Sequence, residues 1–308
     1  MIQTTNLTKY FDQFLAVDRV NLQVRPGEVL GLLGPNGAGK TTTVRMLTTV
    51  LKPSRGTARV GGYDVREDQQ AVRSTVGVLT EDHGLYERMF VEEYLDFFGQ
   101  LYDMNPEQRR KRIEELTTNF GLDSELDRRI GEFSKGMRQK LSLARTLLHS
   151  PSVLLLDEPT SAMDPESARL VHNAIKQLRS NDRAIIICTH NLGEAELLAD
   201  KIAIIRRGRI IAQGTPADLK EQLLGPDEFM ISVREALDGK PLPLPEEVQI
   251  TATGKNWFRY LVHDPEHINP LILRGLLEEG FQVVRVEEVE RRLESVYLQA
   301  VNPDRGSL

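Results

Sequence analysis

The sequence predicts an α/β protein: a large domain built on a parallel sheet, with an antiparallel β-subdomain and a helical insertion, then a small α+β C-terminal domain. Three observations carry that prediction. The apolar run Val29-Leu30-Gly31-Leu32-Leu33 ends on a glycine-rich loop and passes straight into a helical pattern. After Pro151, apolar stretches of strand length alternate with helical spacings, the rhythm of a parallel sheet covered on both faces. Beyond Gly225-Pro226 short strand-like stretches accompany a helix from Pro265 and a final helix. The chain has 308 residues, 40% apolar and 27% charged. That is enough for two cores, and it excludes collagen-like or wholly disordered material.

Taken in order, residues 1–33 alternate in apolar character around the Pro26-Gly27 turn, so they read as strands ending in a buried one. A helix is expected over 41–51, then a turn at 52–56 leading into short strands around 57–65. From about 87 to 150 the character changes. Tyr94, Leu95, Phe97 and Phe98 fall at helical spacing and Pro106 opens the charged run PEQRRKRIEEL, which together read as an inserted helical subdomain. Strands at 153–157 and 184–189, helices at 165–179 and 191–199, a hairpin about Arg207-Gly208 and a helix over 216–223 complete the first domain, residues 1–224. The second, 225–308, is expected to hold strands at 228–234, 249–253, 258–262 and 282–286, with a helix from Pro265 ended by Gly280. A final helix places Leu293, Val296, Tyr297, Ala300 and Val301 on one stripe, expected to pack on that domain's own sheet.

Composition narrows the function. A net charge of -6 argues against a nucleic-acid partner, whose phosphates need a basic surface. The run Arg109 to Arg112 lies among Glu107, Glu114 and Glu115 and reads as a solvated helix face. Cys188 is the one cysteine, so an intrachain disulfide is excluded and a buried inert thiol is expected. His263 and His267 do not read as a metal pair, because Asp264-Pro265 opens a helix between them. The apolar runs 153–156 and 184–188 are too short to cross a bilayer. The opening MIQTTNLTKYF has no basic start or apolar core, so no secretory leader is expected there.

The chemistry is concentrated in two segments. Gly34-Pro35-Asn36-Gly37-Ala38-Gly39-Lys40-Thr41 fits G-x-x-x-x-G-K-[ST] between a strand and a helix, the arrangement in which backbone N–H groups and a helix N-terminus cradle phosphates. Lys40 is expected at the β- and γ-phosphates, the Thr41 hydroxyl on Mg²⁺ and Thr42 at the α-phosphate. Asp157 and Glu158 follow four apolar residues, so both carboxylates emerge at the C-terminal end of a buried strand. Asp157 would hold Mg²⁺ through water, and Glu158 would act as general base on the attacking water.

By these motifs the chain resembles the ATP-binding subunits of ABC transporters. Beyond Walker A and Walker B, Phe133-Ser134-Lys135-Gly136-Met137-Arg138-Gln139 resembles the LSGGQ signature in an FSKGM variant. The run Asp157 to Asp164 resembles Walker B continuing into the D-loop, and Thr189-His190 resembles the switch histidine. The resemblance covers about residues 1–224. It implies ATP and Mg²⁺ as ligands, and a head-to-tail dimer in which Ser134 and the Gly136 amide of one subunit meet the γ-phosphate held by the other. It implies that His190 bonds the γ-phosphate and that Asp164 couples the two sites. Phe11, two residues after Lys9, is the implied adenine platform, with Tyr10 as the alternative ring. Glu81 stands where the family usually has glutamine; its carboxylate is expected to meet Mg²⁺ or the attacking water.

The close of the chain, LESVYLQAV, together with the FSKGM signature and the TEDHGLYERM stretch, resembles ATPases that serve separate drug, sodium or polysaccharide exporter permeases. The implied partners are an integral-membrane permease and a second copy or a paralogue, at the cytoplasmic face of the cell membrane. The rival reading is a soluble ABC ATPase acting on ribosomes or DNA. Against it, the chain carries a single module, and only residues 41–133 separate Lys40 from Ser134, too few for a long coiled-coil insertion. A non-enzymatic nucleotide sensor is disfavoured by Lys40, Asp157, Glu158 and His190 standing together.

Overall fold

The computed structural model describes residues 1–80, 84–161, 163–237, 241–245, 247–289 and Tyr297. Glu81 and, from the expected last stripe, Leu293, Val296, Ala300 and Val301 lie outside the described residues; Tyr297 is helical. The chain divides into two units, Met1–Pro216 and Ala217–Leu308.

In the first unit the chain runs β1 (Ile2–Phe11), β2 (Phe14–Val20), β3 (Gln23–Val24), β4 (Val29–Leu33), α1 (Lys40–Leu47), β5 (Arg55–Val60), β6 (Tyr63–Asp64), α2 (Gln69–Thr75) and β7 (Val76–Leu79). It continues through α3 (Val91–Leu101), α4 (Pro106–Phe120), α5 (Lys135–Leu147), β8 (Val153–Asp157), α6 (Pro165–Gln177), β9 (Ala184–Thr189), α7 (Leu192–Leu198), β10 (Lys201–Arg206) and β11 (Arg209–Gly214). The main sheet has the order β11-β10-β4-β9-β8-β7, parallel throughout except for the β10–β11 hairpin.

Its central strands are buried at every position because both faces are covered. Leu30, Leu32, Val153, Leu155, Ala184 and Ile186 enter one core, while Leu154, Leu156, Ile185 and Ile187 enter the other. Register aligns Leu32 with Cys188 and Cys188 with Asp157. A separate antiparallel sheet, β2-β1-β5-β6 with β3 on β1, forms the β-subdomain.

The helical insertion is built from α3, α4 and α5, whose Tyr94, Leu95, Ile113, Leu116, Leu141 and Leu147 share a core with the sheet. Asn105 caps α4 by accepting from the Gln108 N–H at 2.9 Å, with Pro106 in the first turn. Two residues of the basic run are tied down, one by a carboxylate on another helix and one by Glu115, which the sequence placed beside it. Arg109 reaches Asp96 on α3 at 2.6 Å, and Arg112 pairs with Glu115 at 2.6 Å.

Two local departures have physical causes. Helix α1 stops at Leu47, short of residue 51, because Thr49 turns left-handed with φ 63. Helix α2 and strand β7 carry too little pattern to be read from sequence. The helix is one of seven residues without a side-chain cap bond, and the strand is one of four residues at the sheet edge.

Near β7, the His149 ring stacks on Tyr102 at 3.7 Å and contacts the Val76 carbonyl at 3.2 Å. Burial pushes its pKa down from 6.5 to about 4. An unfolded chain therefore takes up a proton there that the fold refuses, and stability falls as pH drops from 6.5 to about 4. His149→Phe keeps a stacking ring and removes the titration. Urea midpoints of this variant are expected to fall less than the parent's across that window; equal slopes would contradict the assignment.

Helix α8 (Pro216–Leu224) starts at the last residue of the first unit, and the second unit continues through β12 (Asp227–Val233), β13 (Gln249–Thr253), β14 (Trp257–Val262), α9 (Pro265–Glu278) and β15 (Val283–Glu288). The sheet is antiparallel, ordered β13-β14-β12-β15. Ile268, Ile272 and Leu276 of α9 pack on Ile231, Phe258 and Tyr260. Asp264 caps α9 and holds His267 Nδ1 at 2.8 Å. Among the described residues no helix is long and apolar enough to cross a membrane.

Candidate active site

Three strands end side by side at the C-terminal edge of the main sheet, in the spatial order β4, β9, β8. Each delivers a different group. Strand β4 feeds the glycine-rich loop and α1, β8 ends in Asp157 before Glu158, and β9 is followed by His190. Ligands of open α/β sheets bind at this edge.

The loop's glycines are fixed by close backbone approach. A Cβ on Gly34 would lie 2.4 Å from the Ile205 carbonyl oxygen. Gly39, the N-cap of α1 at φ 108, would bring one to 2.8 Å from the Ala16 carbonyl oxygen. Pro35, Asn36 and Gly37 form the exposed crest, and Ala38 is buried beneath it. Lys40 is buried. Its Nζ donates to the Gly34 carbonyl at 2.6 Å and stands 3.4 Å from Glu158 Oε1.

The Thr41 hydroxyl donates to Asp157 Oδ2 at 2.8 Å, and Thr42 follows on the same turn, partly buried. This hydroxyl and carboxylate are hard oxygen donors. A pair of them fits Mg²⁺, an ion that keeps waters and takes phosphate oxygens, better than a cation needing an all-protein cage. Among the described residues no group of three or more His, Cys, Asp or Glu could hold a metal.

Glu158 is 8% exposed and sits between two cationic or protonatable groups. Its Oε2 lies 2.9 Å from His190 Nδ1, its Oε1 faces Lys40, and its N–H donates to the Cys188 carbonyl at 2.8 Å. The backbone at Glu158 is left-handed, with φ 51. His190 keeps more than half of its side chain in solvent. Cys188 is fully buried, and burial, with Asp157 beside it, pushes its thiol well up, so it stays protonated and inert.

Ser134, Gly136 and Asp164 form a second group, at the starts of α5 and α6. Ser134 caps α5, accepting from the Met137 N–H at 3.3 Å. Asp164 caps α6, accepting from the Ser167 N–H at 2.9 Å, and the hydrogen bonds from Ser167 hold its carboxyl below the ordinary value. A Cβ on Gly136 would lie 3.4 Å from the Ser167 hydroxyl, so the starts of α5 and α6 are neighbours.

Phe11 ends β1 with 42% of its surface exposed and the Lys9 ammonium 5.2 Å above its ring. Tyr10 is also exposed and carries Arg55 over its ring at 5.7 Å. The β1–β2 hairpin reaches the glycine loop through Ala16, whose carbonyl faces Gly39.

Sequence reasoning missed a buried group behind Glu158. The Gln139 amide donates to the Pro159 carbonyl at 2.5 Å, and Thr160 and His172 both contact Glu194. One signal was present. Glu194 shares its helix face with Ala195 and Leu198, a carboxylate placed on a buried stripe.

Known proteins resemble this chain in sequence and in fold. A family model described as ABC transporter matches residues 17–161. The ABC transporter ATP-binding protein NatA of Bacillus subtilis is 39% identical over 226 residues, 72% of this chain and 92% of its own length. The Nod factor export ATP-binding protein I of Paraburkholderia xenovorans is 36% identical over 295 residues, 95% of this chain and 96% of its own. A solved ATP-binding subunit of an ABC transporter superposes with a TM-score of 0.69 at 28% identity, covering 73% of this chain and 94% of that one. The chain therefore belongs to the ABC transporter ATP-binding proteins and is an ATPase subunit of such a transporter.

Proposed function

We propose that this subunit energises export through a separate membrane permease, working at the cytoplasmic face as one of two nucleotide-binding subunits. Residues 1–224 form its ATPase domain and 225–308 an accessory domain. The observation that carries the reading is the convergence of Lys40 and His190 on Glu158, beside the Thr41–Asp157 pair. Export rests on the likeness to the Nod factor export protein over nearly the whole chain.

In this reading Lys40 exchanges its Gly34 contact for the β- and γ-phosphates, and the loop amides with the N-terminus of α1 hold the remaining phosphate oxygens. Thr41 directly and Asp157 through water would hold Mg²⁺, which would supply positive charge against the phosphates. Glu158 accepts the proton of the attacking water while His190 reaches the γ-phosphate with its other ring nitrogen. Ser134 and the Gly136 amide cap the γ-phosphate of the other subunit, and Asp164 links the two sites.

Contact with the permease is supported by a groove of 900 Å³ beside Thr80, lined by Arg45, Val50, Phe98, Leu101 and Tyr102. Val50 and Leu101 are 69% and 62% exposed there, apolar surface suited to a docking segment.

Phe11 is assigned to adenine. Phe11→Ala is expected to weaken ATP binding about tenfold, the loss of one base–aromatic stack, while Phe11→Trp and Tyr10→Ala bind like the parent. Fluorescent-nucleotide titration measures this, and the reverse ranking would move the platform to Tyr10.

Purification of the tagged chain from detergent-solubilised membranes tests the whole reading. A stoichiometric partner with several apolar spans of about 20 residues is expected. Recovery with ribosomal or DNA-associated proteins instead would overturn transport.

A further inference from the structure

The segment Glu158-Pro159-Thr160 is pinned at three points by groups from three different elements. The Glu158 N–H donates to the Cys188 carbonyl of β9 at 2.8 Å. Buried Gln139 of α5 donates to the Pro159 carbonyl at 2.5 Å. The Thr160 hydroxyl donates to Glu194 Oε1 of α7 at 2.7 Å.

Glu194 is the unusual member. Its side chain is 1% exposed, where carboxylates rarely sit without partners. The same Oε1 lies 3.1 Å from His172 Nε2 on α6, and the Glu194 N–H donates to its helix cap, Asn191, at 3.1 Å. Backbone and side chain are therefore both fixed, in the first turn after His190.

This anchoring meets a physical need. Glu158 holds φ 51, a left-handed conformation that strains a residue with a side chain and persists only where its surroundings over-determine it. Without the Thr160 anchor, the turn can relax toward ordinary dihedrals and swing the Glu158 carboxylate away from its line of attack. Removing the hydroxyl's acceptor leaves the phosphate loop untouched, because Lys40, Thr41 and Asp157 bond elsewhere.

We propose that Glu194 is a positioning residue for hydrolysis: by holding Thr160 it maintains the strained turn at Glu158 and aims that carboxylate at the attacking water. The proposal rests on Glu158 being the general base. It assigns to α7 the task of joining the switch-histidine strand to the start of the D-loop.

The test measures kcat and KM for ATP in the full chain. Glu194→Ala and Thr160→Val are each expected to lower kcat by about 10- to 100-fold, the effect of a misplacement of order 1 Å, with KM changed by less than about threefold. The double variant is expected to be no slower than the slower single one, since both remove one contact. Thr160→Ser and Glu194→Gln keep the hydroxyl and its acceptor and are expected to hold kcat within about threefold of the parent.

The proposal falls if Thr160→Val turns over at the parent rate, or if Thr160→Ser is as slow as Thr160→Val, which would make the methyl group, not the bond, the cause. It also falls if KM rises in step with the loss of kcat. Should Glu194→Ala fail to fold, Thr160→Val decides, because it deletes one hydroxyl at constant shape. Glu158→Gln, assayed alongside, separates the two failures: turnover at the parent rate there removes the base itself, whereas a dead Glu158→Gln beside an active Thr160→Val removes only the positioning role.

Discussion

Glu158→Gln is expected to bind ATP as tightly as the parent and to hydrolyse it about 10²- to 10⁴-fold more slowly, the range for loss of a general base. The amide has the carboxylate's shape, so the left-handed turn at φ 51 and the bond from its N–H to the Cys188 carbonyl survive. An amide oxygen still accepts from His190, whose Nδ1 is 2.9 Å away. What disappears is the ability to take a proton from water. Single-turnover phosphate release with equilibrium nucleotide binding distinguishes this from a folding defect, and hydrolysis at the parent rate would remove Glu158 from the mechanism.

Lys40→Ala is expected to lose ATP affinity by about 100-fold, the worth of charge-assisted contacts to two phosphates. It carries a second cost. Lys40 and Glu158 are both buried and 3.4 Å apart, so truncating the lysine leaves a carboxylate in the interior with one cation fewer. A loss of roughly 1–3 kcal/mol in folding stability follows from that orphaned charge. The two effects separate by measurement: nucleotide titration reads the first, and urea denaturation without nucleotide reads the second. A dissociation constant within about threefold of the parent would place the phosphates elsewhere.

Much of this site was legible because its parts are local in sequence. The strand–loop–helix spacing from Val29 to Leu47 and the apolar run before Asp157-Glu158 each declare a strand end carrying polar groups, and the sheet brings both to one edge. Helix starts at Pro106, Pro165 and Asp264-Pro265 were equally readable, and there Asn105, Asp164 and Asp264 each accept from the N–H three residues on. Long-range anchors were not. Thr160 and Glu194 are 34 residues apart, Gln139 and Pro159 are 20 apart, and neither pair has a spacing rule. Short elements at the sheet edge, α2 and β7, escaped for the opposite reason, having too few residues to display a period. The early end of α1 escaped because a left-handed threonine is a tertiary outcome rather than a propensity.

The alignment of Leu32, Cys188 and Asp157 across β4, β9 and β8 has a consequence for how such chains can change in length. One residue added to β9 would exchange the core-facing sets of Ile186 and Ile187 and displace His190 along the strand by about 3.3 Å, beyond reach of Glu158. Insertions and deletions are therefore barred from the strands between the phosphate loop and the carboxylates. They are admitted at exposed turns such as Gly121, where left-handed backbone already closes the chain outside any ladder. Relatives should accordingly vary in the spacing from Lys40 to Ser134 far more freely than in that from Ala184 to His190.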